Sequence, residues 1–149
     1  MLNKKIILGV TGGIAAYKAA ELIRLLRKNG ADVQVVMTES ATKFISPLTL
    51  QALSGKPVLE NMWEPSKGNG MEHINQSRDS DLIVIAPASA NFIAKISQGI
   101  ADDLLTNICL ARSCPLMIAP SMNKKMWENP ATRRNISLII KDGITISGP

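Results

Sequence analysis

The sequence predicts an α/β domain built on a doubly wound, mainly parallel sheet flanked by helices. Three observations carry this. Continuous apolar runs at 5–10, 32–37, 81–86 and 115–119 are bounded by turn residues, the pattern of strands buried on both faces. Amphipathic, helix-like segments alternate with these runs, as in successive strand-helix-strand units. Three of the runs also end in small-residue turns: Thr11-Gly12-Gly13, Pro87-Ala88-Ser89-Ala90-Asn91 and Pro120-Ser121-Met122-Asn123. In open parallel sheets ligands bind outside the carboxyl ends of the strands. These loops are therefore expected to line one crevice.

The elements follow in order. The first strand, 5–10, feeds a helix from near Gly13 to Asn29. Ala19, Leu22, Ile23 and Leu26 give that helix an apolar stripe, and Gly30 suits its end. The second strand, 32–37, leads to Thr38-Glu39-Ser40 and a short helix around 41–44. Another helix starts at Pro47, a favoured first position, and stops before Gly55. Residues 56–70 are irregular, and 64–70 read as a mobile surface loop just before His73. After the strand at 81–86, a helix is expected over 89–97. Ala101-Asp102-Asp103 caps a further helix that runs to Ala111. The strand 115–119, a helix over 132–141 ending at Gly143, and a last strand at 144–146 complete the order.

Length and composition narrow the function classes. The 149 residues form one domain, 1–149, with 46% hydrophobic and 19% charged residues, so the chain is globular. The net charge is +5, but the basic residues are scattered and aromatics make up only 3%. Stacking platforms for single strands are thus scarce, and nucleic acid is not the expected partner. An anionic small molecule or solvated helix faces account better for the charge. Thr11-Gly12-Gly13 interrupts the apolar start that would otherwise resemble a signal peptide. No run is long enough to span a membrane, and the chain is expected to be cytoplasmic. With one histidine and only Cys109 and Cys114, no zinc site is expected. Both thiols read as buried and structural.

The loops carry the chemistry. Gly12-Gly13 before a helix lets a ligand approach the backbone, and a helix N-terminus favours an anion. Glu39 stands where a ribose-binding acid sits in dinucleotide domains, which keeps NAD(P) open. Thr38 and Ser40 offer hydroxyls that suit a phosphate monoester instead. Ser89-Ala90-Asn91 is small enough to leave room for a flat ring, and Asn91 can donate and accept. His73 is the one side chain whose ordinary pKa lies near neutrality. Asn123 reads equally as a turn or cap residue, Asp103 as a cap or interface residue, and Met122, Met126 and Trp127 as packing. The residues alone reach an α/β domain that binds a phosphorylated flat cofactor.

Taken together, Val10-Thr11-Gly12-Gly13-Ile14-Ala15-Ala16-Tyr17-Lys18, His73-Ile74, Ala86-Pro87-Ala88-Ser89-Ala90-Asn91 and Pro120-Ser121-Met122-Asn123-Lys124-Lys125-Met126-Trp127 resemble the flavin-containing cysteine decarboxylase family. The likeness spans essentially the whole chain and is strongest to members acting in coenzyme A biosynthesis. It implies a Rossmann-like flavoprotein fold. It implies FMN held by Gly12, Gly13, Ile14, Thr38, Ser40, Ser89, Ala90, Asn91, Phe92, Ser121 and Met122. It further implies catalytic His73, with Asn123 binding the substrate carboxylate. The implied reaction converts 4′-phosphopantothenoylcysteine to 4′-phosphopantetheine through a thioaldehyde. Homotrimers, often assembled into dodecamers, with active sites shared between subunits are implied as well.

In this family the decarboxylase carries a flap cysteine beyond the last strand, and a fused ligase domain follows. The chain is expected to be a fragment that stops before both. Two other readings stay open on the same resemblance: a flavin prenyltransferase-like enzyme, against which His73 and the Pro120–Asn123 string argue, and a non-enzymatic flavin-binding regulatory subunit.

Overall fold

The computed structural model describes residues 2–60 and 70–148. It contains five parallel strands: β1 (Lys5–Val10), β2 (Asp32–Met37), β3 (Leu82–Ala88), β4 (Leu116–Pro120) and β5 (Thr145–Ile146). Their spatial order is β2-β1-β3-β4-β5. The chain leaves β1 for one edge, then returns past it to β3 and builds outward. The topological switch point therefore lies between β1 and β3, where loops diverge and leave a crevice. Pairing is in register from Lys5 opposite Asp32 to Val10 opposite Met37, and from Ile6 opposite Leu82 to Gly9 opposite Ile85.

Helices cover both faces: α1 (Lys18–Lys28), α2 (Pro47–Ser54), α3 (Gly70–Ser77), α4 (Ala90–Gln98), α5 (Leu104–Ala111), α6 (Lys124–Glu128) and α7 (Pro130–Lys141). Alternate strand residues face opposite ways, and the core divides accordingly. Ile6, Leu8, Val10, Val33, Val35 and Met37 pack with Ala19, Ile23 and Leu26 of α1 and Leu50 of α2. Ile7, Val36, Ile83, Ile85 and Ile118 pack on the other face with Phe92, Leu105, Ile108, Ile136 and Ile139. Gly9 lies on this second side. A Cβ there would stand 2.6 Å from Ile85 Cδ1 and 2.8 Å from both Leu105 methyls. The missing side chain lets α5 come close to β1.

The expected elements are present, with local differences. The first helix opens as a 3-10 turn, Ile14–Tyr17, before becoming α1. The segment after β2 is likewise 3-10, Ser40–Lys43. Gly55 ends α2 at φ 78 and Gly30 follows α1 at φ 90, left-handed values that favour glycine. Burial on both faces holds for most of β1 and β2. In β3 and β4, however, Leu82, Val84, Ala86, Met117 and Ala119 are only half-buried, so there the apolar runs overstate the cover on one face. The expected loop at 64–70 lies outside the described residues except for Gly70, which begins α3. His73 is thus helical.

Caps fix several helix starts. Asp103 and Thr106 form a reciprocal capping box on α5. Asn129 caps α7 ahead of Pro130 at the first position. The outer edge of β2 is occupied by Leu59, which donates to Val35 O at 3.1 Å and accepts from Met37 N at 2.9 Å. Neither cysteine is disulfide-bonded; Cys109 is buried as expected, whereas Cys114 is only half-buried, which corrects the expectation for it. Burial pushes the Cys109 thiol from 9.0 up to about 12, and burial also leads the upward shift at Cys114.

That shift makes Cys109 a test of the core. Above about pH 9 the unfolded chain loses a proton that the fold retains, so this contribution falls as pH rises from 9.0 toward about 12. Its slope approaches about 1.4 kcal/mol per pH unit. Urea unfolding at pH 8, 9 and 10 should show the stability gap between wild type and Cys109→Ala shrinking as pH rises. A pH-independent gap would contradict the buried, protonated thiol.

Candidate functional site

The carboxyl ends of four adjacent strands are tied to one another in a row. Thr38 N, after β2, donates to Val10 O of β1 at 3.0 Å. Thr11, after β1, donates its hydroxyl to Pro87 O of β3 at 2.7 Å and accepts from Ser89 N at 2.8 Å. Ser121 N, after β4, donates to Ala88 O at 3.0 Å. The sequence-predicted loops are thus brought side by side, and the switch point lies under the Thr11 bonds. The peptide before Pro87 is cis. Sequence reasoning gave Thr11 no role. No local signal marked it, because its partners Pro87 and Ser89 lie 76 and 78 residues away in the chain.

Local folding decides what these loops present to a ligand. Ser89 caps α4, its oxygen accepting from Phe92 N at 3.1 Å. Asn123 caps α6, its Oδ1 accepting from Met126 N at 2.9 Å. Thr38 Oγ1 accepts from Ala41 N at 3.3 Å. In each case a backbone N–H occupies an acceptor, while the hydroxyl proton or the Nδ2 protons remain to be donated. The N–H groups of Ala90 and Asn91 lie in the first turn of α4 and have no intrahelical acceptor. The crevice therefore offers donors, which suits a ligand rich in acceptors such as phosphate, carboxylate or ring carbonyl oxygens.

The two glycines differ. A Cβ on Gly12 would lie 2.5 Å from Ser40 Cβ, so glycine is needed for the β1 and β2 loops to meet. A Cβ on Gly13 would meet nothing within 4 Å among the described residues, and its φ of 163 is extended backbone open to any residue. Neither packing nor conformation within the chain calls for glycine at 13, and the open space beside it is where a ligand can reach the backbone.

The remaining predicted residues fall into three groups. Ile14, 83% exposed, stands beside Gly13, while Asn91 is exposed at the start of α4. Phe92 buries its ring in the core, and its N–H is held by Ser89. Met122 and Trp127 pack against the core as expected, whereas Met126 is 44% exposed and corrects the packing assignment. Arg133 of α7 lies 5.0 Å over the Trp127 ring and braces α6. Ser97 of α4 donates to Asn135 Oδ1 at 3.0 Å, linking α4 to α7.

His73 is not brought to these loops. Both its ring nitrogens are buried without a hydrogen-bond partner among the described residues. It lines a cavity of about 340 Å³ with Lys5, Asp32, Lys56, Ser77 and Asp79, toward the amino ends of β1 and β2. Lys56 pairs there with Asp32 at 2.6 Å. Among the described residues no group of three or more His, Cys, Asp or Glu could hold a metal, and no helix is long and apolar enough to cross a membrane.

A five-stranded parallel sheet with a donor-lined switch point defines a small-molecule-binding α/β domain of the Rossmann-like class. Residues 1–149 match the family described as Flavoprotein. The chain belongs to that family. The coenzyme A biosynthesis bifunctional protein CoaBC of Vibrio vulnificus strain YJ016 is 47% identical over 149 residues, covering 100% of this chain and 37% of that protein. The chain therefore spans well under half the length of such relatives. The crystal structure of the FMN-dependent cysteine decarboxylase SpaF superimposes with a TM-score of 0.91 at 37% identity, covering 98% of this chain and 84% of that one. A PPC decarboxylase mutant complexed with pantothenoylaminoethenethiol gives a TM-score of 0.81 at 33% identity, covering 97% and 81%.

The glycine pair yields a test without ligand. Gly12→Ala should lower stability by about 1–3 kcal/mol through overpacking against Ser40. Gly13→Ala should stay within about 0.5 kcal/mol of wild type. Urea unfolding of the ligand-free proteins measures both, and equal losses would refute the distinction.

Proposed function

We propose that this chain is the FMN-dependent decarboxylase domain that converts 4′-phosphopantothenoylcysteine to 4′-phosphopantetheine in coenzyme A biosynthesis. The observation that carries the reading is a donor-lined switch point with open space at Gly13. It occurs in a chain 47% identical along its whole length to a coenzyme A biosynthesis protein. Glu39 is exposed beyond β2, and the hydroxyls of Thr38 and Ser40 flank it, which favours a phosphate monoester over a second nucleotide. FMN would be held by Gly12, Gly13, Ile14, Thr38, Ser40, the 89–92 segment and Ser121-Met122. Bound there, FMN would supply a reversible two-electron oxidation of the cysteine thiol end, so that the carboxylate stands β to a thiocarbonyl and CO2 can leave. The ene-thiol held by the related PPC decarboxylase is the intermediate type this order of events requires; return of the two electrons as a hydride, and of a proton, to it would give the saturated thiol and leave the flavin oxidised.

The chain's own residues bind and orient. Asn123, its Oδ1 fixed by Met126 N, turns Nδ2 outward as a donor for the substrate carboxylate. A neutral donor suits a group that loses its charge on leaving, because a fixed cation would hold the starting carboxylate more tightly than the transition state. His73 supplies an imidazole for proton handling. Its separation from the cofactor loops in the fold supports a site completed by α3 of a second copy, within a homotrimer or an assembly of trimers. The exposed Ile14 (83%) and Tyr17 (60%) give such an assembly apolar surface. A second domain, a ligase, is proposed for the full-length protein, in line with the greater length of its bifunctional relatives.

Turnover tests the reading. CO2 release from 4′-phosphopantothenoylcysteine should require FMN. His73→Asn should reduce it by about 100-fold or more while leaving the flavin absorbance per protein unchanged. Near-wild-type turnover in that variant would refute the role of His73. Asn123→Asp should weaken substrate binding by about 1.5–3 kcal/mol, before any charge repulsion. An unchanged substrate titration would reject the carboxylate assignment.

A further inference from the structure

We infer that Thr11 is a positioning residue that sets the flavin-binding geometry of the switch point through its buried hydroxyl. This inference rests on the flavin reading above. The β1–β3 ladder ends at Gly9 opposite Ile85. Past that point Pro87 has no N–H with which to continue it, and the β3–β4 register shifts between Ile85 and Ala88. Thr11 takes over the missing ladder. Its backbone N–H donates to Pro87 O at 3.2 Å, its hydroxyl donates to the same carbonyl at 2.7 Å, and that hydroxyl accepts from Ser89 N at 2.8 Å.

The residue is 1% exposed. Its one hydroxyl proton is already committed to Pro87, so it does not itself hold a ligand. It acts through Ser89. With its N–H engaged by Thr11 and its oxygen engaged by Phe92 N, Ser89 has a fixed orientation. That orientation sets both the direction of its remaining hydroxyl proton and the place where the first N–H groups of α4 open onto the crevice. Removing the hydroxyl leaves the Ser89 N–H without its partner and frees the β3 loop to move relative to Gly12-Gly13. The distance between two halves of one ligand site then changes although no ligand contact has been deleted.

The test compares Thr11→Val, which keeps the shape and loses the hydroxyl, with Thr11→Ser, which keeps the hydroxyl. FMN affinity is read by flavin fluorescence, the visible circular dichroism of the bound flavin reports its surroundings, and thermal unfolding is followed on the ligand-free proteins. Thr11→Val should bind FMN at least tenfold more weakly with an altered flavin spectrum, and Thr11→Ser should stay within threefold of wild type with the native spectrum. Wild-type affinity in Thr11→Val, or a tenfold loss in Thr11→Ser, overturns the inference. Failure of wild type itself to bind FMN would instead overturn the flavin reading. Should Thr11→Val not fold, hydrogen exchange of the wild-type Ser89 amide decides: slow exchange in the ligand-free protein is expected, and exchange at the rate of an open loop overturns the inference.

Discussion

The row of hydrogen bonds across the carboxyl edge of the sheet is the constraint on which the site depends. Strand ends expose backbone groups that need partners, and here each loop finds them on its neighbour. Thr38 to Val10, Thr11 to Pro87 and Ser89, and Ser121 to Ala88 form one row of bonds, so loops separated by many residues in the chain are tied to one another. The crevice between β1 and β3 is created by topology, because the chain turns away from β1 in both directions. Its dimensions are set by the bonds that close its floor.

The same local economy determines the ligand class. Three polar side chains at the edge, Thr38, Ser89 and Asn123, each use an oxygen on a nearby backbone N–H. What remains on each is a proton. The edge is thereby biased toward acceptor-rich ligands with no cationic side chain assigned to it, and Gly13 leaves room for such a ligand at the backbone. Helix α6 is held from behind by the Arg133–Trp127 contact, and α4 is linked to α7 through Ser97. The donors are therefore carried by braced elements, which favours a fixed site geometry.

Much of this was legible in the residues. Apolar runs gave four of the five described strands, and the short stretch at 144–146 gave the last. Pro47, Gly55, Asp103 and Gly30 marked helix ends through caps and left-handed turns whose physics is local. The small-residue loops were legible because their position follows from strand polarity. What escaped depended on long-range packing. Cover over β3 and β4 cannot be read from an apolar run, since such a run looks alike whether its second face is buried or half-open. Thr11 was silent because its partners lie 76 and 78 residues away. His73 was legible as chemistry, but its place on α3, lining a cavity toward the amino ends of the strands, was not, because nothing in one sequence says which end of the sheet a helical residue reaches. The open space at Gly13 was also invisible, since a tight turn and a ligand cradle share the same glycines.

The account's central claim is that the knitted carboxyl edge, at the β1–β3 switch point, is where the flavin binds. A crystal structure of the protein grown or soaked with FMN measures this directly. The account requires flavin density lying against Gly13 and the start of α4, with the row of bonds from Val10 to Ser121 retained. Density instead in the cavity among Lys5, Asp32 and Ser77, with the Gly13 crevice empty, would contradict it.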